Sequence, residues 1–96
     1  MHLISRRPLK QFWGKYPDAE TALRHWIKAV ETSGWENFTD VRHLFGSADR
    51  VGRFVVFNIA GNKYRLIVVI HYDRQRCYVR YILTHKEYDL GKWKKG

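Results

Sequence analysis

The chain has 96 residues, 45% of them hydrophobic and 16% aromatic, which is enough for one apolar core and too little for two domains. The formal net charge of +9 is uneven: residues 1–49 carry seven Lys/Arg against six Asp/Glu, and residues 50–96 carry eleven against three. That asymmetry points to a polyanionic partner, nucleic acid first and an acidic protein second, and away from a merely solubilising surface.

The N-terminal "His2-Leu3-Ile4-Ser5" predicts a short strand. Pro8 then stands where a first helical turn tolerates proline, and Leu9, Phe12, Trp13 and Tyr16 recur at helical spacing. Tyr16-Pro17 breaks this helix, and Asp18 is placed to cap a second one. There Ala19, Ala22, Leu23, Trp26, Ile27 and Val30 form a complete apolar stripe, with Gly34 as its end. The short connection implies an antiparallel helical hairpin, and Trp13 and Trp26 read as core. Thr39 or Asp40 is expected to cap a single turn bearing Val41, Leu44 and Phe45, followed by a loop over 46–49.

From Arg53 the pattern changes to strands: residues 53–59, 63–72 and 77–83, separated by turns at 60–62 and 73–76. Short turns make them an antiparallel meander. The apolar run at 66–70 marks a central strand, and Cys77 reads as a buried small hydrophobe. Thr84-His85-Lys86-Glu87 fits a capping box at the start of a short C-terminal helix, after which comes a basic tail over 91–96. The expected fold is α+β, a single domain over 1–96. The helices cover one sheet face, and the other is left open for function.

Arg65 and Arg80 are charges set among strand residues, where an unpartnered charge is costly. Alternation places Arg65 with Ile67, Val69 and His71. In the next strand it sends Cys77, Val79, Tyr81 and Leu83 to the helices and leaves Arg80 on the open face. An antiparallel turn near residue 74 then gathers Lys63, Arg65, Arg80, His85 and Lys86 at one sheet edge, with Asn58 nearby and Tyr88 one helical turn on. Two guanidiniums offer forked donors to phosphate oxygens, and three acids in this half of the chain are too few to pair eleven bases internally. A helix N-terminus favours anions and disfavours a charged imidazole at His85. The five histidines show no HExxH or CxxC spacing, no glycine-rich phosphate loop is present, and no metal or cofactor is expected. No run approaches the roughly 18 apolar residues of a membrane span, and "MHLISRRPLK" lacks a signal-peptide core. A cytoplasmic protein is expected.

The "MHLIS" start, the paired helices, the stretch Val56-Phe57-Asn58-Ile59-Ala60-Gly61-Asn62-Lys63-Tyr64-Arg65-Leu66, and Thr84-His85-Lys86-Glu87-Tyr88-Asp89 together resemble the HigB-type toxins of bacterial type II toxin–antitoxin systems. These belong to the RelE-like superfamily. The resemblance covers nearly the whole chain. It implies a ribosome-dependent mRNA endoribonuclease in which the substrate 2′-OH attacks the scissile phosphate without a metal. It also implies a helix-turn-helix antitoxin bound as a hetero-oligomer, with contact to operator DNA through that partner. Under it, Arg65 stabilises the phosphate, His85 is the general base or acid, Tyr88 orients the nucleotide or shares proton transfer, and Lys86 neutralises charge. Lys63, Arg80, Asn58 and Arg53 are the RNA-binding candidates. The competing reading is a non-catalytic basic module that binds RNA or the ribosome.

Overall fold

The structure, a computed structural model, describes residues 1–95; Gly96, the end of the basic tail, lies outside the described residues. Strand β1 (His2–Ile4) leads into helix α1 (Arg7–Lys15), which carries Pro8 in its first turn as expected. Helix α2 spans Glu20–Thr32 and buries Leu23, Trp26, Ile27 and Val30. Its start differs from expectation. A 3₁₀ turn over Pro17–Ala19 precedes it, Ala19 is the N-cap, and no side chain caps the helix. Asp18 is instead engaged across the fold, its carboxylate accepting from Lys63 Nζ at 3.0 Å and Tyr64 Oη at 2.7 Å. The helix also ends before Gly34, at Ser33, where the backbone becomes extended.

Residues Phe38–Leu44 form a short helix, α3, rather than a single turn. Its cap is Asn37, whose Oδ1 accepts from Asp40 N at 2.9 Å, in place of Thr39 or Asp40. Asp40 turns back instead to accept from Glu36 N.

The sheet has five strands in the order β1-β5-β4-β3-β2, with β2 (Asp49–Val51), β3 (Phe54–Ile59), β4 (Tyr64–His71) and β5 (Arg76–Thr84). The meander therefore has a fourth strand, β2, where the sequence reads as the end of a loop, and β1 adds to β5 in parallel. Strand β4 is central as expected, with Leu66, Ile67 and Val68 fully buried.

The phase of β5 departs from simple alternation. Between Val68↔Val79 and Ile67↔Tyr81 the register slips, so Arg80 is the extra residue of a β-bulge. Cys77 and Val79 belong to the helix side as expected. Tyr81 and Leu83 lie on the opposite face, and Ile82 takes their place under the helices.

That opposite face is not open. The larger core lies between the sheet and α1, α2 and α3 and includes Leu9, Trp26, Val30, Phe57, Leu66, Val68 and Cys77. Within it Trp26 and Phe57 meet edge to face at 5.4 Å. Cys77 is fully buried, and burial pushes its thiol up to about 12, which makes it unreactive packing. The second core holds Phe54, Val56, Ile67 and Trp93, with Tyr81, Leu83 and Tyr88 packed against it. Trp93, which reads in sequence as part of a basic tail, is only 4% exposed. No helix among the described residues is long and apolar enough to cross a membrane.

Candidate nucleic-acid site

Helix α4 (His85–Leu90) begins where β5 ends, and the expected capping box is present. Thr84 Oγ1 accepts from Glu87 N at 3.2 Å, and Glu87 Oε1 accepts from Thr84 N at 2.9 Å. His85 N donates to Lys63 O at 3.0 Å, which ties the helix start to the beginning of β4. Gly91, with φ +72°, takes the left-handed conformation that ends the helix, so the chain turns back and Trp93 packs over the sheet. Trp93 stacks on Tyr88 (centroids 5.2 Å apart, planes 16° apart), and its Nε1–H donates to Tyr88 O at 3.1 Å.

Arg65 is the one buried charged side chain among the described residues. In the sheet it lies between Asn58 of β3 and Leu83 of β5. Its guanidinium is 5.5 Å from the Tyr88 ring centroid, a cation–π contact. Its acceptors are all neutral: Nη1 donates to Asn62 O and Tyr64 O, each at 3.2 Å, and Nη2 to Asn62 Oδ1 at 2.7 Å. No carboxylate pairs with it among the described residues. A guanidinium carries five N–H donors. Three are used here, which leaves Nε–H and one Nη2–H with no acceptor among the described residues.

His85 is exposed on α4, with Nδ1 2.9 Å from Asp89 Oδ2 one helical turn on. A carboxylate beside Nδ1 favours the proton there and leaves Nε2 as the free nitrogen. The Tyr88 phenol is raised above its ordinary pKa, first by burial and then by the Asp49 carboxylate, against the opposing pull of Arg65. At neutral pH it carries its proton, as an ordinary tyrosine also does. Lys86 is exposed in the first turn of α4. A cleft of about 380 Å³ opens beside this group, lined by Tyr81, Leu83, Glu87, Leu90, Lys92 and Trp93.

The remaining candidates divide. Asn58 is exposed and directly opposite Arg65. Lys63 is near the site but engaged, its ammonium paired with Asp18 at 3.0 Å. Arg80 is exposed at the bulge, off the alternation that would have set it beside Arg65. Arg53 sits in the β2–β3 turn, five residues along from Asn58 and so about 16 Å away along the strand. It is not brought together with Arg65; its guanidinium lies 5.0 Å from the Phe54 ring. The pairing of Asp89 with His85 and the parts played by Asn62 and Trp93 are not read in the sequence. Asp89 has a detectable signal, the i,i+4 spacing from His85 on a helix. Asn62 reads only as a turn residue, and Trp93 has no periodic context at all.

Against this geometry the chain's likeness to known proteins is informative. A family described as the HigB toxin, the RelE-like toxic component of a toxin-antitoxin system, matches over residues 19–91. The mRNA interferase toxin HigB of Escherichia coli strain K12 is 33% identical over 93 residues, spanning 94% of this chain and 89% of that protein. The mRNA interferase HigB of Shigella flexneri gives the same identity and coverage. The mRNA interferase HigB of Escherichia coli O6:H1 is 28% identical over 92 residues, spanning 93% of this chain and 89% of that protein.

Proposed function

The chain belongs to the RelE-like HigB family of toxin–antitoxin toxins, and from that membership we propose that it is an endoribonuclease that cuts mRNA on the translating ribosome. The observation that carries this reading is the buried Arg65 guanidinium, held by neutral oxygens and lying 5.5 Å from the ring of Tyr88, on the helix that also bears His85.

In the proposed reaction the RNA supplies its own nucleophile. His85 Nε2 takes the proton of the 2′-OH as O2′ attacks the adjacent phosphorus. The P–O5′ bond breaks, and O5′ leaves with a proton from the Tyr88 phenol. The products are a 2′,3′-cyclic phosphate and a 5′-OH. Charge that builds on the phosphoryl oxygens meets the Arg65 edge, a preorganised electrostatic contact of the kind whose removal costs roughly 10²–10³ in rate. Lys86 adds positive charge at the helix start. Asn58 contacts the backbone, and a nucleobase rests in the cleft beside Tyr81 and Trp93. Arg80 contributes longer-range attraction.

Membership also brings a cognate antitoxin. In this reading it is a helix-turn-helix protein that forms a hetero-oligomer with the toxin and carries it to operator DNA. The site of action is the cytoplasm.

The test is to map 5′ ends on a translated mRNA, with and without ribosomes, for wild type, Arg65→Ala and His85→Ala. Wild type is expected to cut within the ribosome-bound region, leaving 5′ ends that carry a hydroxyl and upstream 3′ ends that carry the cyclic phosphate, while Arg65→Ala loses about 10²–10³ in rate and His85→Ala about 10²-fold or more. Equal cleavage by all three proteins would remove the site from this position.

A further inference from the structure

We infer that Asn62 is a positioning residue that holds the Arg65 guanidinium with neutral oxygens, so that its positive charge is kept for a substrate phosphate. This rests on the nuclease reading above and deepens it. Two of the three hydrogen bonds to Arg65 come to atoms of Asn62, its main-chain oxygen and its Oδ1. The shorter, at 2.7 Å, is the side-chain one. The amide must present its oxygen there, because its –NH₂ group would face a cation. The turn is shaped for this grip. Ala60 and Gly61 both have positive φ, +55° and +70°, which folds the chain back so that both Asn62 oxygens reach Arg65. Positive φ is unfavourable for an alanine.

A carboxylate at position 62 would have the same shape and make a stronger, charge-assisted bond. The same corner of the molecule uses a carboxylate for its neighbour, since Lys63 is paired with Asp18, which also accepts from Tyr64. Of two adjacent cationic side chains, then, one is neutralised and the other is fixed in place and left charged. Asn62 itself is exposed, so exchanging its side chain disturbs no core packing.

The decisive variant is Asn62→Asp, which keeps the shape and adds the charge. Three measurements are made on the full chain: melting temperature, binding of an RNA carrying a 2′-deoxy residue at the cleavage position, and cleavage of the all-ribose RNA on ribosomes. Asn62→Asp is expected to melt at or above the wild-type temperature. It should nevertheless bind the uncleavable RNA about tenfold more weakly, with a salt slope reduced by about one, and cut about 10- to 100-fold more slowly. In an Arg65→Ala background the same substitution should change binding far less. Asn62→Ala should lose cleavage as well, through a guanidinium no longer held.

Wild-type binding and cleavage by Asn62→Asp would overturn the inference. So would an undiminished effect of Asn62→Asp once Arg65 is removed. Failure of the wild type to cut any RNA, with the binding pattern intact, would sink the nuclease reading and leave the role of Asn62 standing.

Discussion

The two faces of the sheet do different work. On the helix side a continuous core runs from Leu3 and Leu9 through Trp26 and Val30 to Phe57, Leu66 and Cys77, and none of these side chains takes part in the site. On the other side the buried apolar residues among those described are Phe54, Val56, Ile67 and Trp93. There the packing merges directly into the chemistry: Trp93 stacks on Tyr88, and Tyr88 faces Arg65. The thick side supplies stability, since burial scales with apolar area. The thin side is a small platform whose last layer is the site itself. A residue deep in the first core should therefore matter for whether the protein is folded, and one in the second for how well the folded protein cuts.

The sharpest way to break this division is Trp26→Ala. Trp26 is wholly buried in the helix-side core, and its removal is expected to cost about 3–5 kcal/mol in chemical denaturation, with the molecules that remain folded retaining their cleavage rate. A lower rate per folded molecule would show that the faces are coupled. Trp93→Ala is the counterpart. Its cavity opens toward solvent and is partly relieved by water, so about 2 kcal/mol is expected. The rate should nevertheless fall about tenfold, because the Tyr88 ring loses its stacking partner. A drop in stability alone would reduce Trp93 to packing.

The smallest effect is expected at the edge of the helix-side core, from Asp18→Asn. The Asp18 carboxylate binds the Tyr64 hydroxyl and holds that phenol up to about 12. The unfolded chain releases the same proton near pH 10, so the folded state keeps it longer and wild-type stability falls as pH rises from about 10 to 12. Asp18→Asn should lower the melting temperature slightly at neutral pH and shrink that alkaline loss. Melting curves taken across this range would show it, and an unchanged alkaline slope would assign the shift at Tyr64 to burial alone.

The elements were legible where periodicity is long. The stripe of α2 and the apolar run of β4 each repeat often enough to outvote local noise, and the box at Thr84 and Glu87 was readable because it is a local pattern. What escaped had no period or depended on distant partners. Strand β2 is three residues long and is held by its pairing with β3. Asp18 looked like a helix cap because that is what a lone aspartate before a helix usually is; its real partners are 45 and 46 positions away. Trp93 was hidden among lysines, and with it the fact that the second face is covered. Arg65 was found because a charge inside an apolar strand conflicts with its surroundings. Asn62, which reconciles it, conflicts with nothing and so gave no signal.

The bulge at Arg80 has a consequence for how this chain tolerates length changes. A strand has a two-residue beat, and one extra residue shifts everything after it by half a cycle. Upstream of Arg80 the strand serves the helices with Cys77 and Val79; downstream, Tyr81 and Leu83 serve the opposite face, and α4 departs in the matching direction. Deleting that single residue would remove no packing contact of either core. Val79 would then join Tyr81 directly, and plain alternation would keep Tyr81, Leu83 and the start of the helix that bears His85 on the side of the sheet they now occupy. The aim of the site is thus set by Val79 and Tyr81 facing the adjacent residues Val68 and Ile67, and a one-codon loss of Arg80 between them is a smaller lesion than substitutions within the site.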